Sequence, residues 1–282
     1  DLALNDAYNL WDFMPGSDIV KSQPLINGSG LKGTRKEDVS RSRLAPYTVG
    51  GTLTCEPSPS FFGTWLKYAM GNGTGPALAD ALLAFDLICD RGGSWYHYIG
   101  CVANRMVIRG SAGGMITCAI DVLGLTETVI TANDFDTAIA DNLLNTLAEE
   151  PFTHADLAMT LAGSARSILD FTLTIDNGAR ATFANSLTAI HILPGVRTIT
   201  LEANVPFTST EAGNLYGLTK NGAAGSIVLT NSTVSTTFTF GRVQIPDNTA
   251  RTQNGEIVLP IRAQIRGVNG GAEFTVTNDQ TP

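Results

Sequence analysis

The segment Ile168-Leu169-Asp170-Phe171-Thr172-Leu173-Thr174-Ile175-Asp176 carries the clearest structural signal of the sequence, because its odd-numbered residues are apolar and its even-numbered residues are mostly polar. Successive side chains of a strand point to opposite faces, so this period of two predicts a half-buried β-strand. Asn177-Gly178 follows, and both residues tolerate positive φ, so we predict a hairpin whose second arm runs over residues 181–192. The same alternation returns later, in Ile257, Leu259, Ile261, Ala263 and Ile265. We therefore predict a mainly antiparallel β chain.

Helix signals interrupt these strands at two places. Ser58-Pro59 supplies an N-cap and a proline at the first helical position, and Gly71-Asn72-Gly73 ends the segment, so the sequence predicts a helix from Pro59 to Met70. Thr208-Ser209-Thr210-Glu211 is a capping box that opens a second predicted helix, which ends near Asn221-Gly222.

A long internal repeat organises these elements. Gly51-Thr52-Leu53-Thr54-Cys55-Glu56 resembles Arg197-Thr198-Ile199-Thr200-Leu201-Glu202, with the same alternation of inward and outward positions. After each copy come a capped helix, a hairpin bounded by glycines and a similar closing phrase. The hairpins are residues 100–124 and 241–267, and the closing phrases are residues 128–134 and 274–279. The offset stays between 141 and 150 residues, and the shared order predicts a duplication.

We therefore predict two related modules. The first comprises residues 1–150, with an acidic helix or linker at about residues 131–150, and the second comprises residues 151–282. Their charges differ, since the first half carries 17 acidic and 10 basic residues and the second half carries 9 and 8. Any function of the acidity therefore belongs mainly to the first half.

The charge balance and the apolar content exclude two classes of protein. The net charge is -8 and only 16% of the residues are charged, which excludes a strongly basic nucleic-acid binder, because tight phosphate binding needs clustered cations. The longest apolar stretch, residues 77–89, contains Asp80 and Asp86 and is too short to span a bilayer, so we predict no membrane partner. Within it, residues 77–87 fit either a helix or a strand.

We predict no catalytic, cofactor or metal site. Gly28-Ser29-Gly30-Leu31-Lys32-Gly33 matches a dinucleotide-binding pattern, but the charged segment after it has no apolar face to pack on a sheet, so we predict a flexible loop. The four cysteines lack zinc spacing and are predicted to be small buried hydrophobes in a reducing compartment. The three histidines lie in distant segments without a local nucleophile motif. We therefore expect neither an enzyme nor a cofactor.

The segment after these glycines contains the one basic cluster of the sequence, formed by Lys32, Arg35, Lys36, Arg41 and Arg43. Glu37 and Asp38 dilute its charge. We therefore predict a solvated or subunit-contact loop in preference to a phosphate-binding one.

Three groups of phrases resemble the tail tube proteins of long-tailed, non-contractile bacteriophages. Tyr98-Ile99-Gly100-Cys101-Val102-Ala103-Asn104, followed by a glycine-rich turn, is similar to a hairpin of that family. Pro151-Phe152-Thr153-His154-Ala155-Asp156, with the alternating residues 171–177, resembles its second-half signature. Arg41-Ser42-Arg43, which leads to Val49-Gly50-Gly51-Thr52-Leu53 and a capped helix, resembles its front end. Together the phrases cover most of residues 35–280.

The resemblance implies a mainly β fold of duplicated tail-tube-type β-sandwich or barrel modules, with short flanking helices. Long hairpins of neighbouring subunits would build a β-barrel tube between subunits. The implied partners are further copies of this chain, in trimeric pseudo-hexameric rings or true hexamers that stack into a tube, together with a tape-measure protein and a tail terminator. The implied location is the virion tail, after assembly in the host cytoplasm, with DNA passing through the lumen without specific binding.

The resemblance also suggests a role for the opening stretch. We expect its polar face, formed by Asp170, Thr172, Thr174 and Asp176, to line the lumen as a smooth wall that repels phosphate. An ordinary solvent face of a sandwich strand is the alternative interpretation. The alternative function is a duplicated β-sandwich that binds carbohydrate or a host surface, with Trp95, Tyr96 and Tyr98 as its aromatic platform.

Overall fold

The computed structural model describes residues 13–29, 39–71, 78–130, 150–208, 215, 222–231, 234–246, 249–253, 255–267 and 271–279. The described chain is mainly β, as the alternation predicts. The strands of the first half are β1 (Asp18–Ser22), β2 (Leu25–Asn27), β3 (Ser42–Leu44), β4 (Thr48–Cys55), β5 (Phe85–Asp90), β6 (Trp95–Ser111), β7 (Thr117–Gly124) and β8 (Thr126–Ile130).

The described strands of the second half contain between 3 and 11 residues. They are β9 (Leu157–Leu161), β10 (Ser164–Arg166), β11 (Asp170–Asp176), β12 (Arg180–Thr182), β13 (His191–Leu193), β14 (Thr198–Pro206), β15 (Ala223–Asn231), β16 (Val234–Gln244), β17 (Arg251–Gln253), β18 (Glu256–Arg266) and β19 (Phe274–Asp279). Short 3-10 turns span Val39–Arg41 and His154–Asp156.

Helix α1 spans Pro59–Met70, with Ser58 at the N-cap and a proline in its first turn, as the sequence predicts. It ends at Gly71, whose φ of 73° is left-handed and therefore favours glycine. Apart from Leu215, the predicted helix after Thr208 lies outside the described residues, and so does the acidic segment apart from Glu150. No helix in the described ranges is long and apolar enough to cross a membrane.

One long antiparallel sheet contains most of the strands. Its order is β1-β4-β7-β6-β11-β14-β18-β16-β15-β9-β10. Strands β5 and β8 pair with the first part of β6, β19 pairs with β16, and β17 pairs with β18. Two small two-stranded sheets, β2–β3 and β12–β13, stand apart from it. We call these two small sheets the first arm and the second arm.

The strand order is the same in the two halves of this sheet. The run β1-β4-β7-β6 of the first half has the order of β11-β14-β18-β16 in the second half, and each arm lies between the first two strands of its run in the sequence. Strand β6 also pairs with β5 and β8, and β16 likewise pairs with β15 and β19. Both β5–β6 and β15–β16 contain a register shift, at Phe85/Leu87 and at Ala223/Gly225. We refer to strands in the same position of the two runs as counterparts.

The predicted hairpin after β11 is wrong. Strand β11 pairs with β6 on one side and β14 on the other, whereas β12 and β13 pair with each other. The Asn177 side chain is buried, and its amide donates to the carbonyl oxygens of Ala69 at 2.9 Å and Ala103 at 3.0 Å. Asn177 therefore anchors the end of β11 in the core, and a tight turn back onto β11 does not form.

A single hydrophobic core runs through both halves of the chain. Helix α1 connects them, because the Phe62 ring meets Phe238 edge-to-face with centroids 5.9 Å apart, while the Trp65 ring meets Phe85 at 5.6 Å. Burial of each large aromatic side chain contributes about 1.5–3 kcal/mol to stability. The helix of the first half therefore helps to hold the second half in place.

The segment that fitted either a helix or a strand ends in a strand. Its last residues begin β5 (Phe85–Asp90), while residues 78–84 form no helix or strand. The predicted hairpin at residues 100–124 is present as β6 and β7, and β18 contains the predicted alternation of residues 257–265.

Candidate assembly surfaces

Strand β11 places the four candidate lumen residues on one partly exposed face of the long sheet. Asp170, Thr172, Thr174 and Asp176 are each half-buried, while the intervening Phe171, Leu173 and Ile175 are buried in the core. The alternation therefore separates a polar face from a core face, as predicted. We call the polar side of the strands β1, β4, β7, β6, β11, β14 and β18 the polar face.

Arginines lie beside these residues on the polar face. Along one row across the sheet, Arg109 pairs with Thr172, which pairs with Glu202, which pairs with Arg262. Along another row, Arg105 lies between Asp121 and Asp176. Directly opposite side chains in antiparallel strands are about 4.5–5.5 Å apart at Cβ, so acids and arginines are neighbours here. The polar face therefore carries both signs of charge, which the sequence of β11 alone did not indicate.

Hydrogen bonds fix several of the acids on this face. The Asn204 amide nitrogen donates to both carboxylate oxygens of Asp170 at 2.9 Å, and the Thr52 hydroxyl donates to Asp121 at 2.6 Å. Asp176 accepts from the backbone N–H of Gly178 at 2.8 Å. Carboxylates that already accept hydrogen bonds within the sheet contribute charge at fixed positions.

The two halves meet where β6 pairs with β11, and we call this pairing the seam. Its register runs from Ser111 opposite Asp170 to Arg105 opposite Asp176. On the core side, Leu173 and Ile108 are directly opposite and both fully buried. A Cβ at Gly110 would lie 2.6 Å from the Phe171 ring, so only glycine allows this close approach.

A buried polar cluster closes one end of the seam. The Arg197 Nε atom donates to the Asn177 side-chain oxygen at 2.7 Å, and its Nη2 atom donates to the Ala79 carbonyl at 2.6 Å. Desolvation by burial lowers the pKa of Arg197 from its ordinary value. Ala69, whose carbonyl Asn177 also binds, lies in the last turn of α1, where carbonyls have no partner within the helix. The cluster thus joins the second half to α1 and β6 of the first.

The outer edges of the two runs differ from the seam. In the described part of the chain, the sheet order gives β1 and β17 one partner strand each, β4 and β18. The Ile19 carbonyl of β1 accepts hydrogen bonds from the Tyr98 hydroxyl at 2.7 Å and from Arg91 Nη2 at 2.5 Å. Arg91 also contacts Asp18 at 2.6 Å. A charged side chain beside an edge strand is a common protection against unwanted strand pairing.

The two arms expose apolar side chains. Leu25, Ile26 and Leu44 in the first arm are each more than half exposed, and the second arm exposes Ile190 and Leu193. The second arm reaches the first half, because the backbone N–H of Tyr47 donates to the Leu187 carbonyl at 2.9 Å. Several apolar side chains exposed on one small sheet make each arm a candidate contact surface.

The predicted basic contact loop is described only in part. Lys32, Arg35 and Lys36 lie outside the described residues. Arg41 ends a 3-10 turn and Arg43 lies opposite Ile26 in the first arm. The two described members of the cluster therefore sit at the exposed first arm.

The aromatic platform of the alternative function is not a single exposed surface. Tyr98 is fully buried, and Trp95 and Tyr96 are half-buried in β6. His97 is buried, with Nε2 3.2 Å from the Asp86 carboxylate.

The cysteines are free thiols, and three of them, Cys55, Cys101 and Cys118, are buried as predicted; Cys89 is partly exposed. Burial raises the pKa of Cys101 to about 12, so this thiol is not a ready nucleophile. Among the residues described by the structure, no group of three or more His, Cys, Asp or Glu side chains is placed to hold a metal ion.

Comparison with known protein families adds one finding. The model of a family described as "Phage tail tube protein" matches residues 15–277. No curated protein matches the chain.

Proposed function

The chain belongs to the phage tail tube protein family, and we propose that it is the major tail tube subunit of a long, non-contractile phage tail. In this role it is a structural virion protein whose rings stack into the conduit for DNA. The observation that carries the proposal is a family match over nearly the whole chain, on a long antiparallel sheet with one polar face.

We further infer that the chain is a duplication, with modules at residues 1–150 and 151–282. The repeated strand order supports this division, because each half supplies a run of four strands with an arm between its first two strands. Two modules per chain favour a ring of three chains with pseudo-six-fold symmetry over a ring of six chains.

The dimensions of such a ring suit a DNA conduit. Three chains with eight strands each in the repeated runs would supply 24 strands. With strands about 4.8 Å apart, the closed wall has a circumference of at least ~115 Å and a backbone diameter of at least ~37 Å, which strand tilt increases. Side chains that project ~5 Å inward would leave an opening wide enough for duplex DNA.

The charges of the polar face suit passage of DNA without retention. We propose that this face lines the lumen. Arg105 lies between Asp121 and Asp176, and Arg262 lies opposite Glu202, so these two arginines have carboxylates beside them, which weakens their attraction for phosphate. The wall is therefore mixed in charge, which differs from the purely repulsive wall that β11 alone suggests.

Further partners follow from the role in the tail. We propose contacts with a tape-measure protein inside the tube and with a tail terminator at its end, and assembly in the host cytoplasm before incorporation into the virion.

Negative-stain electron microscopy of the concentrated, purified protein tests the proposed function. Stacked rings or tubes are the expected result. A monomer that forms no ring at any concentration, or that binds saccharides through Trp95 and Tyr96, would contradict it.

A further inference from the structure

We propose that the outer edge of β1 in one chain pairs with the edge formed by β17 in another copy, with Asp18 directly opposite Arg251. This pairing would repeat between chains the seam that β6 and β11 form within one chain. The proposal rests on the proposed function, because it specifies how copies of the subunit join in a ring.

The counterpart residues follow from the strand registers. Leu87 pairs with Tyr98 just after the register shift of the first half, and Gly225 pairs with Phe240 just after that of the second. Tyr98 and Phe240 are therefore counterparts. Arg251 of β17 follows Phe240 by as many residues as Arg109 of β6 follows Tyr98, so Arg109 and Arg251 are counterparts too. Arg109 pairs with Thr117 of β7, and Arg251 pairs with Val258 of β18. Strand β17 is thus the counterpart of the distal part of β6, which forms the seam.

The pairings of β7 and β18 extend the comparison of counterpart residues to the opposite edge of each run. With Thr117 and Val258 as counterparts, Asp121 corresponds to Arg262 four residues later. Along one row of the sheet, Asp121 pairs with Thr52, which pairs with Asp18. Arg262 pairs with Glu202, which pairs with Thr172. Asp18 is therefore the counterpart of Thr172. Thr172 pairs with Arg109 in the seam, and Arg251 is the counterpart of Arg109. We therefore expect Asp18 to pair with Arg251 of another copy.

The chemistry of the two edges agrees with this register. Asp18 and Arg251 carry opposite charges and both are exposed. Asp18 contacts Arg91 in the single chain, but an exposed ion pair of this kind contributes little to stability and is easily exchanged. Arg91 also occupies one side of the Ile19 carbonyl. A carbonyl has two lone pairs, so an incoming strand N–H can replace Arg91 while Tyr98 stays bound.

A second surface supports the same partner independently. Tyr96 pairs with Val129 in the first half, and their counterparts Phe238 and Val276 pair in the second. Val276 is 6% exposed, whereas Val129 is 58% exposed. Phe238 is fully buried and meets Phe62 of α1 from the other half. The first half therefore leaves Val129 exposed at a position that is covered in the second half, and the second half of another copy would supply the missing cover.

The arms show a third difference of this kind. Tyr47, immediately before β4, is buried and bonded to Leu187 of the second arm. Val196 precedes β14 by two residues, as Pro46 precedes β4, and Val196 is 87% exposed whereas Pro46 is half-buried beside Tyr47. The first arm of another copy, with its exposed Leu25 and Ile26, would cover Val196 in the same way.

Disulfide cross-linking tests the register. The Ile19 carbonyl is bonded on the outer edge, and alternate residues of a strand bond to alternate sides, so Asp18 would form a non-hydrogen-bonded pair with Arg251. Cα atoms in such pairs are ~4.5 Å apart, within the range that a disulfide bridges. We would mix the variants Asp18→Cys and Arg251→Cys under mild oxidation, at a protein concentration that gives rings.

The expected product is a covalent dimer that forms only in the mixture and that reductant dissolves. The double variant should give covalent oligomers that end at three chains. The background of unspecific cross-linking is measured with each single variant alone and with the unmodified protein, because the chain has free cysteines of its own. Asp18→Cys mixed with Thr249→Cys, displaced two residues along the edge, should cross-link much less.

The outcomes separate the register from the function. Rings that form without cross-linking in the mixture, or that cross-link equally with Thr249→Cys, would overturn the proposed pairing and leave the tail tube function standing. Absence of both rings and cross-links, with a folded protein by circular dichroism, would overturn the proposed function as well.

Discussion

The seam and the outer edges contain counterpart strands in different surroundings. At the seam, β11 has a strand on each side, Leu173 packs against Ile108, and Asn177 and Arg197 fill the end with hydrogen bonds. At the outer edge, β1 has one partner strand in the described part of the chain, and the side chain of Arg91 bonds the Ile19 carbonyl. In the described part of one chain a junction of this kind forms once, and we propose that the outer edges form the next junction with another copy.

The seam and the outer edges should also contribute differently to the stability of the single subunit. The seam lies inside the continuous core of the chain, so changes there should affect the folding of the single subunit. The outer edges bury little in the single subunit, so changes there should affect assembly and leave folding nearly unchanged. Three variants test this distinction, and a fourth tests the polar face; the most destabilising variant comes first.

Leu173→Asp should prevent folding. Leu173 is fully buried between Ile108 and Leu201, and an unpaired carboxylate there costs more than about 4 kcal/mol. Thr174→Asp is the matched control, because Thr174 lies on the polar face. Chemical denaturation followed by circular dichroism measures both. A Leu173→Asp protein as stable as the Thr174→Asp protein would show that the seam is not part of the core.

Asn177→Ala should lower the free energy of unfolding by about 2–4 kcal/mol, because it leaves the carbonyls of Ala69 and Ala103 and the Nε of Arg197 without their partner. Asn177→Asp keeps the acceptor for Arg197 and loses the donor to the two carbonyls. Urea unfolding of both variants separates these contributions. A loss below about 0.5 kcal/mol in Asn177→Ala would mean that the polar cluster does not hold the seam.

Lys21→Pro should abolish ring assembly without unfolding the subunit. Lys21 is two residues from Ile19, so its backbone N–H points to the same outer side of β1, and proline removes that donor. Lys21→Ala is the control, since both variants lose the contact of the Lys21 ammonium with the Tyr47 ring at 4.2 Å.

Sedimentation velocity measures ring assembly of the Lys21→Pro protein, and thermal unfolding measures whether its subunit remains folded. We expect Lys21→Ala to form rings and Lys21→Pro to remain a folded monomer. Rings of normal size and stability from Lys21→Pro would contradict the role of this edge.

Asp176→Lys should leave rings intact but slow the release of DNA from particles that contain it, by roughly two- to fivefold at low salt and less at high salt. The new cation would lie beside Arg105 and form a pair that attracts phosphate. Asp176→Asn is the control, because it keeps an acceptor for the Gly178 N–H. Ejection kinetics, followed with a DNA-binding dye, provide the measurement. Unchanged release in Asp176→Lys would argue that this face does not line the lumen.

The features that the sequence predicted depend on neighbours along the chain. The strand at residues 170–176 and helix α1 follow from alternation, an N-cap and a left-handed glycine, which are all local signals. The buried positions of Cys55, Cys101 and Cys118 follow from the apolar character of cysteine.

The features that the sequence missed depend on long-range register. Asn177-Gly178 carries a strong hairpin signal, but the partners of β11 come from residues 105–111 and 198–204, and the Asn177 amide is used in the core. The charged rows of the polar face were missed because Arg105 and Arg109 become neighbours of β11 only through this pairing. Local similarity likewise aligned Thr52 with Thr198, whereas the strand registers relate Thr52 to Glu202.

The rotational symmetry of the assembled ring distinguishes a chain that supplies two modules from a chain that supplies one. Averaged end-on views from electron microscopy should show three-fold symmetry with six similar lobes, two from each 29.8 kDa chain, and alternating junctions of the seam and edge types. Strict six-fold symmetry, with six chains in each ring, would contradict the account that one chain supplies two modules and that the edge between chains repeats the seam within them.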